Sequence, residues 1–201
     1  MQLAIWFPPP EYLHMTTLEL ANSRTSSEID TIVSTLLASG ILSRLVNYTS
    51  SHRCRLIRPI VSFDASAMAL SFVPAVDDVD KDSYTYHHLR RDLFDRVVDT
   101  GVEVVPRYVV PSAHITIARF TTHDGFLLDN AGPDGSGIDR DRLKVVVDQI
   151  EAINQNLKEK YWSDESPKGQ WLVGQEKGLE LCGGASWYGN GDKFTVGDGF
   201  K

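Results

Sequence analysis

The sequence predicts an α+β fold with mainly antiparallel sheets. Short apolar runs typical of strands are mixed with three segments that have the apolar spacing of an amphipathic helix, and no regular strand-helix-strand alternation joins them. With 201 residues and 42% hydrophobic content, the chain can bury a complete core. We therefore expect residues 1–201 to form a single domain.

Two helices are predicted in the first half of the chain, and each has a recognisable end signal. Thr25-Ser26-Ser27-Glu28 has the pattern of a capping box, so a helix is expected from Ser26 to Leu45, with Gly40 ending or weakening it. Apolar residues at helical spacing between Leu89 and Val98 predict the second helix, and Gly101 is its expected stop.

A third helix is predicted in the second half, after a glycine-rich segment. Gly132 to Gly137 is expected to be a flexible loop, and a long amphipathic helix follows from Asp139 to Tyr161. The loop lacks the Gly-Lys-Ser/Thr ending of a Walker phosphate loop. ATP-driven chemistry is thus disfavoured.

Strands are predicted from apolar runs bounded by turn residues. Asp64-Ala65-Ser66 separates two runs that are expected to form a β-hairpin, and Lys177-Gly178 is the expected turn of a later hairpin. The predicted strands are Cys54 to Phe63, Ala67 to Val73, Val102 to Val110, Trp171 to Val173, Leu179 to Leu181 and, after Asn190-Gly191, Phe194 to Val196.

Charge and composition limit the classes of partner. A net charge of −7 and a pI near 5.3 argue against a protein that grips long nucleic acid by neutralising phosphates. A small nucleotide or the end of an RNA remains compatible. We expect no extended nucleic-acid surface, no membrane association and a monomer.

The first residues and the cysteines indicate an intracellular compartment. Met1 to Phe7 lacks basic residues and is followed by three prolines, so neither a signal peptide nor a membrane span is expected. Cys54 and Cys182 lack a Cys-x-x-Cys spacing, which favours reduced structural thiols over a disulfide or a zinc site. A cytoplasmic location is expected, with the nucleus as the alternative.

The most informative pattern is a repeated His-x-Thr motif, about half a chain apart. His14-Met15-Thr16 lies in the apolar stretch Leu13 to Leu20, and His114-Ile115-Thr116 lies in Ala113 to Phe120. On extended strands, the histidine and threonine of each motif would point to the same face. Adjacent motif strands would thus present two imidazoles for proton transfer and two hydroxyls for phosphate oxygens, without a metal.

These residues resemble a known family. Pro-Pro-Glu-Tyr-Leu-His14-Met-Thr16, followed by Val-Pro-Ser-Ala-His114-Ile-Thr116-Ile-Ala-Arg119, is similar to the two-histidine phosphoesterase superfamily, which includes the 2′-5′ RNA ligase-like proteins and 2′,3′-cyclic phosphodiesterases. The resemblance implies a bilobal α+β domain with a cleft between similar lobes, and chemistry without metal or cofactor. Each motif strand would be followed by a helix, which is typical of a duplication.

The resemblance also implies residue roles. His14 and His114 would be the catalytic pair, and Thr16 and Thr116 would hold the phosphate. Arg119 matches an arginine often found after the second motif. However, five positions separate it from His114, so it would face the opposite side of a regular strand unless a bulge or the strand end redirects it. A structural salt bridge is the alternative role.

Other candidate residues have weaker patterns. Tyr12 is a candidate for stacking against a substrate base, as are Trp6 and Tyr108, with core packing as the alternative for each. His87 and His88 point about 100° apart on the predicted helix and are expected at its surface rather than on a shared metal. His52 and His123 receive no role.

The expected function is hydrolysis of 2′,3′-cyclic nucleotides or cyclic-phosphate RNA ends by histidine acid–base catalysis. His114 is assigned as base and His14 as acid, and the resemblance favours a 2′-phosphate product. Two alternatives stay open. One is RNA 3′-end trimming or the making and breaking of 2′-5′ linkages, and the other is a module that binds nucleotides without turnover.

Overall fold

The computed structural model describes residues 4–76, 82–107, 112–128, 137–163, 167–184 and 191–200. Within these ranges the chain is α+β, as predicted, with four α-helices and seven strands. The helices are α1 (Ser26–Ala38), α2 (Leu42–Val46), α3 (Tyr86–Val98) and α4 (Arg140–Tyr161). The strands are β1 (Ile5–Trp6), β2 (Arg55–Phe63), β3 (Ala67–Pro74), β4 (Ala113–Phe120), β5 (Trp171–Leu172), β6 (Lys177–Gly183) and β7 (Asp192–Asp198).

The strands form two sheets. The larger has five strands in the order β1-β4-β3-β2-β5, and β6 pairs with β7 in the smaller one. The pairs β1/β4, β2/β5 and β6/β7 are all antiparallel. Within the described ranges, no helix has both the length and the apolar character needed to cross a bilayer.

The chain divides into two compact units, and each is assembled from separate segments. Unit 1 comprises Met1–Met15, Arg58–Phe72 and His114–Gly169, whereas unit 2 comprises Thr16–Ile57, Val73–Ala113 and Gln170–Lys201. The units therefore do not correspond to an N-terminal and a C-terminal half.

Unit 1 is built around α4, which packs on strand residues. Val61 of β2 is buried with Val146 and Ile150 of α4, and burying each such side chain contributes about 1.5–3 kcal/mol. Asn154 of α4 reinforces this contact, because its side-chain amide bonds both the N–H and the carbonyl of Val61, at 2.7 and 3.0 Å. The partly buried side chains around the cluster are Met68, Ile117, Phe126 and Leu157.

Unit 2 contains α1, α2, α3 and the small sheet. The predicted capping box at the start of α1 is confirmed, since Thr25 and Glu28 exchange side-chain to main-chain bonds. The largest fully buried side chains of unit 2 include Leu36, Leu56 and Tyr86.

Cys54 is buried and Cys182 is exposed, and neither forms a disulfide within the described ranges. Burial raises the pKa of the Cys54 thiol to about 12.

Several local predictions agree with the structure. The expected hairpin is present as β2 and β3, and the Asp64 carboxylate accepts the N–H groups of Ser66 and Ala67 in its turn. The long helix begins after Asp139, whose side chain caps it. Gly40, at φ +68°, separates α1 from α2, so the helix expected from Ser26 to Leu45 is two helices.

The hairpin predicted around Lys177-Gly178 is wrong. Gly178 lies inside β6, which pairs with β7, while β5 pairs with β2. A Cβ on Gly178 would lie 2.3 Å from the carbonyl oxygen of Val46. This glycine thus permits a close backbone approach rather than a turn.

The strands predicted beside the two motifs are also partly wrong. In Leu13 to Leu20, only Met15 forms a β-bridge. In Val102 to Val110, the described part holds a single bridge at Val105, with Ala21, and the remainder lies outside the described residues. The loop Gly132 to Gly137 also lies outside them, apart from Gly137.

Asp92 of α3 is the centre of a polar network in unit 2. Its carboxylate accepts hydrogen bonds from the hydroxyls of Tyr48 and Tyr84, at 3.1 and 2.9 Å. The Arg91 guanidinium donates to the other carboxylate oxygen. Burial alone would raise the pKa of Asp92, but these bonds outweigh burial and hold its pKa below the usual range.

We expect the Asp92→Asn change to lower the free energy of unfolding at neutral pH by about 1–3 kcal/mol, because bonds to a charged acceptor are lost. The folded-state pKa of Asp92 is lowered, so its contribution is complete above the ordinary aspartate pKa of ~3.9 and declines as the pH falls through the folded value. Urea unfolding at about pH 7, 5 and 3 measures this difference from the wild type.

The matched control for this change is Asp95→Asn, on an exposed position of the same helix. It should change stability little at any of these pH values. A difference between wild type and Asp92→Asn that stays constant down to about pH 2 would contradict the assignment.

Candidate active site

A single β-bridge in unit 1 joins the middle residues of the two His-x-Thr motifs. Met15 pairs with Ile115 in antiparallel orientation. A regular continuation of this register would place His14 opposite Thr116, on the same face. His14 and His114 would then be diagonal neighbours, with Cα atoms about 7–8 Å apart.

The alternation of β4 orients the second motif. Ile117 packs against the cluster of Val61, Val146 and Ile150, so its face of the strand is directed to the core. His114 and Thr116 have the opposite parity and lie on the other face. Both are partly exposed, and His14 is exposed, so a solute can reach all three side chains.

The imidazole of His14 is oriented by the turn that precedes it. Pro10–Tyr12 forms a single 3-10 turn, closed by a 3.2 Å bond from the Leu13 N–H to the Pro10 carbonyl. The carbonyl of Tyr12 accepts a 2.8 Å hydrogen bond from Nδ1 of His14. Because a carbonyl oxygen can only accept, Nδ1 carries a proton, and Nε2 is the atom that exchanges protons with a ligand.

Thr16 is the first residue of unit 2, and its main chain is held by α3. Its carbonyl oxygen accepts a 3.3 Å bond from the hydroxyl of Tyr86, and the next carbonyl, of Thr17, accepts a bond from Arg90. The Thr16 side chain is exposed. Within the described residues, the hydroxyls of Thr16 and Thr116 have no hydrogen-bond partner, so both can donate to a ligand.

Arg119 lies on the core-facing side of β4. It pairs with Trp6 of β1 in a regular antiparallel register, with Ile5 opposite Phe120 next to it. Nothing in this register shifts its parity, so the strand places Arg119 on the face of Ile117, opposite His114. Trp6 shares the face of Arg119, because paired residues point the same way.

Of the remaining aromatic candidates, Tyr12 and Tyr108, the structure describes only Tyr12. Tyr12 is 40% exposed beside His14, so its ring is accessible to a substrate base. Tyr108 lies outside the described residues.

The other histidines have structural contacts. His88, expected at the helix surface, instead caps α3, because its Nδ1 accepts the N–H of Thr85 at 3.0 Å. His52 stacks on Tyr48, with ring centres 4.0 Å apart. His123 donates from Nε2 to the Ala65 carbonyl. Within the part of the chain that the structure describes, no three His, Cys, Asp or Glu side chains cluster as metal ligands.

Sequence reasoning missed the contacts of Tyr86 and Arg90 with the first motif. Their spacing of four residues places both side chains on one helix face. The spacing does not indicate that this face contacts Thr16 and Thr17, some seventy residues earlier in the chain. Only the fold could reveal the contact. Comparison of the chain with protein-family models, curated proteins and solved structures finds no match.

The His14 bond predicts a specific tautomer. In neutral His14, Nδ1 should carry the proton and Nε2 should not, because the Tyr12 carbonyl requires a donor. Long-range ¹⁵N–¹H correlation spectra distinguish the two tautomers, with the exposed His87 as reference. A neutral His14 protonated at Nε2 would contradict the described orientation.

Proposed function

We propose that the protein is a metal-independent phosphodiesterase that hydrolyses 2′,3′-cyclic nucleotides or cyclic-phosphate RNA ends to 2′-phosphates. The supporting observations are the Met15–Ile115 bridge, which joins the middle residues of the two motifs, and the accessibility of His14, His114 and Thr116. Two imidazoles and a hydroxyl donor at this spacing meet the needs of in-line phosphoester hydrolysis.

The histidines divide the proton transfers. His114 takes a proton from a water molecule as the water oxygen attacks phosphorus, and His14 gives its Nε2 proton to the departing 3′-oxygen of the ribose. The new P–O bond comes from water, and the P–O3′ bond breaks, leaving a 2′-phosphate and a 3′-hydroxyl. A neutral imidazole can accept a proton and a protonated one can donate it, so one histidine of the pair can serve as base and the other as acid.

The turn before His14 supports its role as acid. When this imidazole is protonated, the Tyr12 carbonyl keeps the Nδ1 proton, and the Nε2 proton is the one that is transferred. One carbonyl thus orients the ring through both charge states.

The threonine hydroxyls stabilise charge on the phosphoryl oxygens. Thr116 directly follows the bridged Ile115, and Thr16 directly follows the bridged Met15. Such neutral donors add no positive charge, which suits a small substrate rather than a long polyanion. The net charge of −7 supports the same choice.

The first test is incubation with each of the four 2′,3′-cyclic nucleoside monophosphates in EDTA, with 2′- and 3′-phosphate products resolved. His14→Ala and His114→Ala should each lower kcat by about 10²- to 10⁴-fold, because each removes one proton transfer. Circular dichroism checks that both variants stay folded.

His123→Ala is the matched control, since it removes a histidine of the same unit that bonds a loop carbonyl. Its turnover should equal that of the wild type. Activity lost in EDTA, or activity indifferent to both motif histidines, would contradict the mechanism. Binding of cyclic nucleotides without product would instead identify a module that has no turnover.

A second prediction concerns Arg119. Because strand alternation places it on the core face of β4, Arg119→Gln should leave KM for the cyclic nucleotide within about twofold. Thr116→Ala, on the ligand face, should raise KM by about 2- to 12-fold through the loss of one hydrogen bond. A large rise in KM for Arg119→Gln would return this arginine to the substrate site.

A further inference from the structure

The segment after the first motif is held by groups outside any strand ladder. The Thr16 carbonyl accepts from Tyr86, and the Thr17 carbonyl accepts from Arg90. Three residues later, the Leu20 carbonyl accepts the N–H of Val105 at 2.9 Å. All of these residues belong to unit 2. Side chains of α3 thus replace the ladder bonds that a regular strand would supply.

Tyr86 is suited to hold a carbonyl in a fixed place. Its residue is fully buried, and a buried phenol hydroxyl normally requires a partner. Burial raises the pKa of Tyr86, so the hydroxyl remains a donor at neutral pH. The guanidinium of Arg90, one helical turn later, lies 5.9 Å from the Tyr86 ring centre.

A phenylalanine would fill the same core space as Tyr86 but would leave the Thr16 carbonyl without this donor. The Thr16 side chain meanwhile remains exposed. The buried Tyr86 therefore holds the Thr16 carbonyl by a hydrogen bond, while the exposed Thr16 side chain remains accessible to a ligand.

We propose that Tyr86 and Arg90 are positioning residues, which fix the Thr16–Thr17 main chain so that the Thr16 hydroxyl meets the substrate phosphate. This inference rests on the proposed phosphodiesterase function. Both residues belong to the same unit as Thr16 and lie outside the two motifs. Neither side chain takes part in proton transfer.

The test is Tyr86→Phe, which removes one oxygen and keeps the ring. KM for 2′,3′-cyclic AMP should rise by about 2- to 12-fold, corresponding to one net hydrogen bond. The pH dependence of kcat should stay unchanged, because neither histidine is altered. Tyr84→Phe is the matched control, because it also removes a tyrosine hydroxyl that donates a hydrogen bond, in this case to the Asp92 carboxylate and not to Thr16. The KM of the Tyr84→Phe variant should equal that of the wild type.

A double-mutant cycle separates positioning from general destabilisation. In a Thr16→Ala background, Tyr86→Phe should cause no further rise in KM, because the hydroxyl to be positioned is gone. The same fold-rise in both backgrounds, or an unchanged KM in the single variant, would overturn the inference. If Tyr86→Phe fails to fold, Arg90→Lys, which keeps the charge, serves in the same cycle.

The proposed function can fail separately. If the wild type turns over no cyclic nucleotide, binding of adenosine 2′-monophosphate is measured by calorimetry for the same variants. Weaker binding in Tyr86→Phe, absent in the Thr16→Ala background, would support positioning even without turnover. Equal binding in all variants, or no binding by the wild type, would overturn it.

Discussion

The two-residue period of β4 is the constraint on which the candidate site depends. Ile117 packs against Val146 and Ile150 of α4, and residues of the other parity point to the opposite face of the strand, where Ala118 is buried and His114 and Thr116 are partly exposed. His114 and Thr116 have that parity. A slip of one residue would bury both polar groups and expose the isoleucines, which the hydrophobic contacts of α4 resist. The orientation of His114 and Thr116 thus follows from the packing of Ile117.

The first motif is held by a different physical principle. A single bridge at Met15 aligns it with β4, and the main chain beyond the bridge is anchored by side chains of α3. Individual side-chain bonds contribute about 1 kcal/mol each, less than a continuous ladder with a packed face. The main chain of Thr16 and Thr17 therefore depends on the packing of α3.

The polar groups that support packing are separate from those of the candidate site. Asn154 joins α4 to β2 in unit 1, and Asp92 joins two tyrosines to α3 in unit 2. Both networks are partly buried, and each central side chain makes two or more hydrogen bonds, as buried polar groups require. The hydroxyls of the motif threonines instead have no hydrogen-bond partner among the described residues. The structural groups are thus satisfied within the fold, whereas these hydroxyls are available to a ligand.

Local signals in the sequence determined the α+β class, the capping box at Thr25, the β2–β3 hairpin, the long helix after Asp139 and the orientation of His114 and Thr116 on β4. Each rests on interactions between residues close in the chain, which a pattern can encode. Tertiary structure alone decided that the first motif is a bridge rather than a strand, that Gly178 lies within β6, and that Tyr86 reaches Thr16. Those outcomes depend on partners far away in sequence. The local spacing of apolar residues does not indicate which distant group donates a hydrogen bond to a carbonyl or packs against a glycine.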